Sequence, residues 1–159
     1  MFKGSTVLVL GAGISGQSVA LTLQRQGAMV ILSDCRPEEA LNKDFSALRS
    51  AGVKLVFGPQ TESLLTTAKY MVLSPGISIK EPLVEAAKAR GITVMSEVEV
   101  AYRLCSGPIL GVTGTNGKTT TTTLIGEMFK QAGRKYVVGG NIGPALSAKV
   151  VGLDNETTV

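Results

Sequence analysis

Short runs of apolar residues alternate along the chain with segments that repeat apolar positions every three to four residues. The short runs are rich in β-branched residues and are bounded by glycine or polar residues, so we expect them to be strands. Most are continuously apolar, which is typical of parallel strands buried on both faces of a sheet. The predicted strands are residues 7–10, 29–32, 54–57, 70–73, 93–95, 109–112 and 136–138.

The segments between these runs have the apolar spacing and the end signals of helices. Pro82 suits a first helical turn, and Ser96 with Glu99 fits a capping box. Glycines at positions 27, 52, 91 and 133 stand where helices are expected to end. The predicted helices are residues 15–26, 45–51, 82–90, 96–104 and 118–132. This succession of strands and helices predicts an α/β fold with a doubly wound parallel sheet.

A break, Ser106-Gly107-Pro108, separates two such stretches of sequence. A second strand and glycine loop begin directly after it, so we expect a domain boundary between about residues 96 and 108. The first domain is predicted to span residues 1–96. The second, residues 97–159, is expected to be incomplete, because only a short helix and the opening of a buried strand at 157–159 follow Asn141-Ile142-Gly143. We interpret the sequence as the N-terminal fragment of a longer protein.

Composition narrows the possible functions. Apolar residues make up 44% of the 159 positions and charged residues 18%, which predicts a buried core. A net charge of +4 without charge blocks, and 4% aromatic residues, argue against a nucleic-acid partner.

The chain has no histidine, which excludes His-based triads and His-ligated zinc. Cys35 and Cys105 match no metal or redox spacing, and no apolar run approaches a membrane span. We expect a cytoplasmic protein with reduced thiols and no membrane partner.

The first glycine loop follows the first predicted strand. Residues 11–16 read Gly-Ala-Gly-Ile-Ser-Gly and open a helix. Gly11 would make the tight turn, Gly13 would let the backbone approach a diphosphate, and Gly16 would allow close packing of helix on strand. Asp34 ends the second strand, where a carboxylate can accept hydrogen bonds from a ribose or a base. The loop predicts a nucleotide diphosphate site and is compatible with NAD, FAD or nucleotide sugars.

The second glycine loop is more specific. Residues 109–120 read Ile-Leu-Gly-Val-Thr-Gly-Thr-Asn-Gly-Lys-Thr-Thr, an apolar run that ends in Gly-Lys-Thr at a helix start. Its N–H groups can cradle phosphates, Lys118 can reach the β- and γ-phosphates, and the Thr119 hydroxyl can bind Mg²⁺. The general phosphate-loop pattern has glycine where this chain has Val112, so the loop is a variant.

Residues 114–120, Gly-Thr-Asn-Gly-Lys-Thr-Thr, resemble the ATP loop of the Mur ligase superfamily. Three further motifs occur in the order typical of that superfamily: the first glycine loop, Ser74-Pro75-Gly76-Ile77, and Gly140-Asn141-Ile142-Gly143. The combination is similar to the branch that adds D-glutamate. The resemblance implies a Rossmann-like parallel-sheet domain, followed by the truncated start of a P-loop ATPase α/β domain.

The resemblance also implies roles for particular residues. Lys118 and Asn141 are the candidate catalytic residues, and Asn141 would also contact the substrate. Thr119 would contact the metal. Residues expected to bind ATP are Gly114, Thr115, Asn116, Gly117, Lys118, Thr119 and Thr120. Residues expected to bind a UDP-linked substrate are Ile14 and Ser15 at the diphosphate, Asp34, Cys35 and Arg36 at the uracil, and Ser74, Pro75 and Gly76 beside the nucleotide. Cys35 replaces the usual Thr or Ser, so only a backbone contact is carried over there.

The implied reaction is ATP- and Mg²⁺-dependent addition of D-glutamate to UDP-N-acetylmuramoyl-L-alanine through an acyl phosphate, a step of peptidoglycan synthesis. The protein is expected to be monomeric. The family's Mg²⁺-binding glutamate and its amino-acid-binding domain are not found in the sequence, so the isolated chain is predicted to be unable to catalyse ligation. Two alternatives remain open at this point. They are a dinucleotide-dependent oxidoreductase built on the first loop and a non-catalytic UDP-binding module.

Overall fold

The computed structural model describes residues 1–140 and 145–159 and contains one five-stranded parallel sheet. The strands are β1 (Thr6–Leu10), β2 (Met29–Asp34), β3 (Lys54–Phe57), β4 (Tyr70–Leu73) and β5 (Thr93–Ser96). They lie in the order β3-β2-β1-β4-β5, which is the order of one half of a dinucleotide-binding fold followed by the strands beyond its switch point. Adjacent strands pair in parallel throughout. The predicted α/β class is therefore confirmed.

Seven helices are described, and five of them agree with the predicted helices to within one residue at each end. The two glycine loops lead into the two longest. The predicted glycines at the helix ends all have positive φ. The helices are α1 (Ile14–Arg25), α2 (Glu38–Leu41), α3 (Ser46–Ser50), α4 (Pro82–Ala89), α5 (Glu97–Leu104), α6 (Lys118–Gln131) and α7 (Leu146–Val150), with a 3₁₀ turn at Glu62–Leu65.

The sheet is buried on both faces, which explains its continuously apolar strands. In β1, Val7 and Val9 belong to the cluster beneath α1 and α3, whereas Leu8 and Leu10 belong to the cluster beneath α4. All four are at most 1% exposed. Successive strand residues point to opposite faces, so burial on both faces requires apolar residues at every position.

The two strands predicted at 109–112 and 136–138 do not form as strands, so those predictions are wrong. Instead, both segments pair locally with the last three residues. The N–H of Leu110 donates to the Val159 carbonyl at 2.7 Å, and the N–H of Val137 donates to the Thr158 carbonyl at 2.8 Å. Tyr136 and Thr158 form a single parallel bridge. The segment 157–159, expected to open a buried strand, takes part in this bridge but is not a strand in the described residues, because three residues offer too few consecutive pairs for a ladder.

Helix α5 lies between the sheet and the later part of the chain. Val100 belongs to the core beneath α1, whereas Ala101 packs against Leu146 and Val150 of α7. Helix α5 thus contacts both predicted domains, and the boundary at residue 96 stays a prediction. None of the described helices is long and apolar enough to cross a membrane.

Candidate functional site

The first glycine loop continues directly from the central strand. The N–H of Gly11 donates to the Ser33 carbonyl at 2.8 Å and so extends the pairing of β1 with β2 by one residue. Gly11 has a φ of +91°, which side chains rarely adopt. The chain turns here into α1, as the spacing predicted.

Gly16 and Gly13 differ sharply in the space around them. A Cβ on Gly16 would overlap the Gly11 carbonyl oxygen, so only glycine lets α1 pack this closely on the loop. A Cβ on Gly13 would meet nothing within 4 Å, so the backbone there faces open space. The open space at Gly13 would allow a group of a ligand to approach the main chain there.

The start of α1 presents unsatisfied backbone donors. Gly13 is its N-cap residue and has no side chain to accept from the first turn. Within residues 1–140 and 145–159, the N–H groups of Ile14 and Ser15 have no hydrogen-bond partner. Ile14 is 76% exposed and Ser15 is half-buried, so a ligand can reach both. Free N–H groups and the positive end of the helix dipole favour an anion here.

Asp34, predicted to contact the ligand, is already engaged within the chain. Its carboxylate is nearly buried and accepts hydrogen bonds from the Ala12 N–H at 2.9 Å and from Arg36 Nε at 3.0 Å. Burial raises the pKa of Asp34, but the hydrogen bonds from Arg36 and Ala12 outweigh it, so the pKa lies below its usual value. Asp34 thus holds the first glycine loop in shape. The sequence did not predict the hydrogen bond from Ala12, because every residue type except proline carries a backbone N–H donor.

Arg36 and Cys35 are exposed beside this carboxylate. The guanidinium of Arg36 is paired with Asp34, and its side chain is still 57% exposed. Cys35 is exposed as a free thiol. The structure therefore leaves the Arg36 charge and residue 35 accessible to a ligand.

The turn predicted beside the nucleotide packs against the first loop. Ser74 Oγ donates to the Gly11 carbonyl at 2.8 Å, and the N–H of Ile77 donates to the Ser74 carbonyl at 3.1 Å. Pro75 and Gly76 are exposed, and Gly76 has a φ of +95°, as in a type II turn. Ser74 is buried and acts on the loop, whereas Pro75 and Gly76 face solvent.

The three residue groups predicted to bind the UDP-linked substrate thus lie at one edge of the sheet. They follow the carboxyl ends of β1, β2 and β4, and β1 lies between the other two. The chain leaves β1 toward β2 on one side and returns at β4 on the other. Such a switch point creates a crevice in which open α/β sheets bind ligands.

The second glycine loop turns into α6 through two glycines with positive φ. Gly117 is the N-cap of α6 with a φ of +77°, and Gly114 has a φ of +153°. Lys118 donates from Nζ to the carbonyls of Gly114 and Thr115. In the described chain, the N–H groups of Lys118 and Thr119 have no hydrogen-bond partner. Residues 113–121 are all exposed.

These residues fit a magnesium-bound triphosphate. The free N–H groups and the lysine suit phosphate oxygens, and the exposed Thr119 hydroxyl is available to a metal ion. No hydrogen bond joins this loop to the first glycine loop within the described residues. Asn141, a candidate catalytic and substrate residue, lies outside the described residues.

An apolar cleft of about 250 Å³ lies beside α6. Its walls include the segments 109–112 and 136–138, which were predicted to be strands, together with Ile125 and Phe129 of α6 and Leu146 of α7. The sequence did not predict it, because those segments were expected to be covered as parts of a sheet.

Comparison with known proteins identifies the family. Residues 5–96 match the family model described as Mur ligase MurD-like, N-terminal domain. The chain belongs to this Mur ligase family. Residues 112–158 match a second model, the Mur ligase middle domain, and this match includes the second glycine loop. The resemblance inferred from the four motifs is thereby confirmed.

Curated relatives are similar over nearly the whole chain. A UDP-N-acetylmuramoylalanine–D-glutamate ligase of Caldanaerobacter subterraneus is 46% identical over 158 residues, 99% of this chain and 35% of the relative. The ligase of the same name from Alkaliphilus oremlandii is 42% identical over 98% of this chain and 34% of its own length. The chain thus spans about a third of the length of the curated relatives that it matches.

Two solved structures with a similar fold are ligases. A pseudomurein peptide ligase type C from Methanothermus fervidus has a TM-score of 0.57 at 25% identity, over 98% of this chain and 32% of that one. A UDP-N-acetylmuramate-alanine ligase from Thermotoga maritima has a TM-score of 0.51 at 22% identity, over 84% of this chain and 31% of that one. The latter likeness concerns the fold alone.

Proposed function

We propose that the whole protein carrying this chain adds D-glutamate to UDP-N-acetylmuramoyl-L-alanine, using ATP and Mg²⁺. In this reaction the carboxylate of the UDP-linked substrate takes the γ-phosphoryl group of ATP and ADP leaves, and the amine of D-glutamate then attacks the acyl phosphate and displaces phosphate. The product is an amide, as peptidoglycan synthesis requires. The chain contributes the sites for the UDP diphosphate and for ATP.

One structural observation carries the proposal. Within the described residues, the two glycine loops each present free N–H groups at the start of a long helix, α1 and α6. One ligand with a diphosphate and another with a triphosphate account for both loops. The similarity to D-glutamate ligases over nearly the whole chain supports the choice of these two ligands. A dinucleotide-dependent oxidoreductase would leave the second loop without a role.

The residues of this chain position the reactants and neutralise their charge. The N–H groups of Ile14 and Ser15 would hold the diphosphate, and Arg36 would add positive charge at the nucleoside end. Lys118, released from its two carbonyls, would contact the β- and γ-phosphates, and Thr119 would contact the metal. ATP with Mg²⁺ supplies the phosphoryl group. Preorganised donors of this kind lower the barrier by stabilising charge that develops in the transition state.

The remaining expectations are part of the same proposal. We place the substrate-binding domain at residues 1–96 and the start of the ATP-binding domain at residues 97–159. The two family matches end and begin on either side of the short linker that supports this division. We further propose a monomeric, cytoplasmic enzyme, in keeping with the substrates assigned to it.

Substitution of Lys118 tests the assignment of the second loop. In the whole protein, Lys118→Ala should lower the ligation rate by about 10²-fold or more, because a charged group aimed at the phosphates is lost. The affinity for the UDP-linked substrate, measured by calorimetry, should hardly change. Lys130→Ala is the matched control, since Lys130 is an exposed lysine near the other end of α6. A large loss of affinity for the UDP-linked substrate would contradict the division between the loops.

The isolated chain provides a second test. We expect it to bind the UDP-linked substrate but to give no ligation above background with ATP, Mg²⁺ and D-glutamate. A non-catalytic UDP-binding module would give the same result with the isolated chain. The whole protein separates the two functions, because only a ligase turns over.

A further inference from the structure

Helix α7 begins without a capping side chain of its own. Its N-cap residue is Ala145, whose methyl group cannot accept a hydrogen bond. The N–H of Ser147, in the first turn, donates instead to Oε1 of Glu97 at 2.6 Å. Glu97 is the first residue of α5 and lies 50 positions earlier in the chain. It therefore caps α7 from a different helix.

This contact is closed to water. Glu97 is 4% exposed and Ser147 is 0% exposed. A buried N–H that loses its acceptor cannot turn to solvent, so the contact constrains α7 more strongly than a surface hydrogen bond would. Burial of a carboxylate also has a desolvation cost, which is compensated only while the hydrogen bond is made.

Helix α7 is held on its other side by the segment next to α6. Lys149 Nζ donates to the Val138 carbonyl at 2.6 Å, and the Leu146 side chain lies against Gly139, where it leaves no room for a Cβ. Val138 in turn packs close to Gly126 of α6. A continuous series of contacts therefore leads from Glu97 on α5, through α7, to the helix that carries the second glycine loop.

We infer that Glu97 is a positioning residue that fixes the second glycine loop relative to the first through its contact with α7. The inference rests on the proposed function, in which the two loops hold reactants that must meet. Loss of the contact should leave each binding site intact but disturb their relation. The expected effect is therefore on turnover rather than on affinity.

Amide hydrogen exchange tests the contact in the 159-residue chain itself. Glu97→Ala should accelerate exchange at Ser147 by about tenfold or more, because a buried hydrogen bond is lost, while the amides of β1 keep their rates. Glu97→Gln should preserve slow exchange, since its amide oxygen can accept the same N–H. Glu97→Asp should not, because its carboxylate is one methylene short. An unchanged rate at Ser147 in Glu97→Ala overturns the inference.

Kinetics of the whole protein test the positioning role. Glu97→Ala should lower kcat by about tenfold or more, with little change in KM for either nucleotide substrate, because misplacement of reactants costs rate. Glu97→Gln should restore most of the rate. Glu99→Ala is the control on the same helix, since Glu99 pairs with the nearby Arg103 and its side chain is 42% exposed. If Glu97→Ala also accelerates exchange in β1, Glu97→Asp takes its place in both tests.

The outcomes separate this inference from the proposed function. Unchanged kcat in Glu97→Ala, or an equal loss in Glu99→Ala, overturns the positioning role while wild-type ligation stands. Absence of ligation by the wild-type protein overturns the proposed function and the role of Glu97 in it. The exchange result at Ser147 tests the inference without depending on the proposed function.

Discussion

Gly13 and Gly16 of the first glycine loop are expected to respond differently to an added methyl group. Gly16→Ala should lower the free energy of unfolding by about 2–4 kcal/mol, because the new Cβ would overlap the Gly11 carbonyl oxygen and crowd Ser74 Oγ. Gly13→Ala is the matched control and should change stability by less than about 0.5 kcal/mol, since its Cβ meets no atom. Urea unfolding of the two variants measures the difference. Equal losses would contradict the packing described for Gly16.

Gly13→Ala should instead affect the ligand. If the diphosphate lies against the main chain at Gly13, the added methyl group keeps it away. We expect the affinity for the UDP-linked substrate to fall by about tenfold or more, as when one strong hydrogen bond to a charged group is lost. Calorimetry on the 159-residue chain measures it. Unchanged affinity would place the diphosphate elsewhere.

Asp34 makes stability depend on pH in a defined direction. Its pKa is lower in the folded chain than in the unfolded one, so the stabilisation is present above about pH 3.9 and is lost as the pH falls through the folded pKa. Asp34→Asn should therefore cost about 1–3 kcal/mol at pH 7, and the difference from wild type should shrink at pH 3. Urea unfolding at both pH values measures this. Because Arg36 is exposed, solvent screens the ion pair, so the loss comes mainly from replacing charge-assisted hydrogen bonds to the carboxylate by neutral ones.

The control for this prediction is an exposed carboxylate nearby. Glu39 is exposed, so Glu39→Gln should change stability by less than about 0.5 kcal/mol at either pH. A difference between Asp34→Asn and wild type that grows toward low pH would contradict the assigned direction of the pKa.

At the residue scale, the sequence predicted backbone requirements better than side-chain partners. The spacing of Gly11 and Gly16 predicted a tight turn and a close helix, because these depend on local chain geometry. The same reasoning expected Asp34 to accept hydrogen bonds from a ligand, which stays a prediction, and it did not reveal the hydrogen bond from Ala12. The Ala12 N–H reaches the Asp34 carboxylate only because β1 and β2 pair. A local sequence pattern does not reveal a hydrogen bond between two residues that are distant in the sequence.

Helix α5 depends on the cap that its sequence predicted. Ser96 Oγ accepts a hydrogen bond from the Glu99 N–H at 3.2 Å. Ser96→Ala should cost about 1 kcal/mol, whereas Ser96→Asp should retain most of the stability, because aspartate is also a good N-cap residue. Thermal unfolding of both variants measures this. Equal destabilisation by the two substitutions would show that the hydroxyl does not act as a cap.

The predicted helices and strands were correct where the residues that define an element lie within it or directly beside it in the sequence. Helices such as α4 and α5 carry their end signals with them, and the buried strands are bounded by glycine and polar residues. The segments 109–112 and 136–138 have strand-like composition, but a strand also needs partners along its length. They meet only the short segment 157–159. Helix α2 was missed because it has four residues, although Pro37 followed by Glu38 and Glu39 is a helix-start signal.

On the scale of the whole molecule, burial is distributed unevenly. The two large clusters of buried residues surround the five-stranded sheet, and a third, smaller one joins α5 to α7. Helix α6 has 14 residues, of which Gly126 is buried. Local stability follows the number of buried apolar contacts, so the sheet and α6 should not open together.

Native-state hydrogen exchange measures this difference. Amides of β1 and β4 should exchange at least about a hundredfold more slowly than those of α6, since the central strands open only when the sheet unfolds. Leu32→Ala creates a cavity beneath the central strands and should lower the free energy of unfolding by about 2–5 kcal/mol. Exchange in β1 should accelerate by the factor that corresponds to this whole loss, whereas exchange in α6 should not change. Met128→Ala removes an exposed side chain of α6 and should leave β1 unaffected. If one variant accelerated exchange in both places equally, the chain would unfold as a single unit, and the contacts from α5 through α7 to α6 would be stronger than their burial implies.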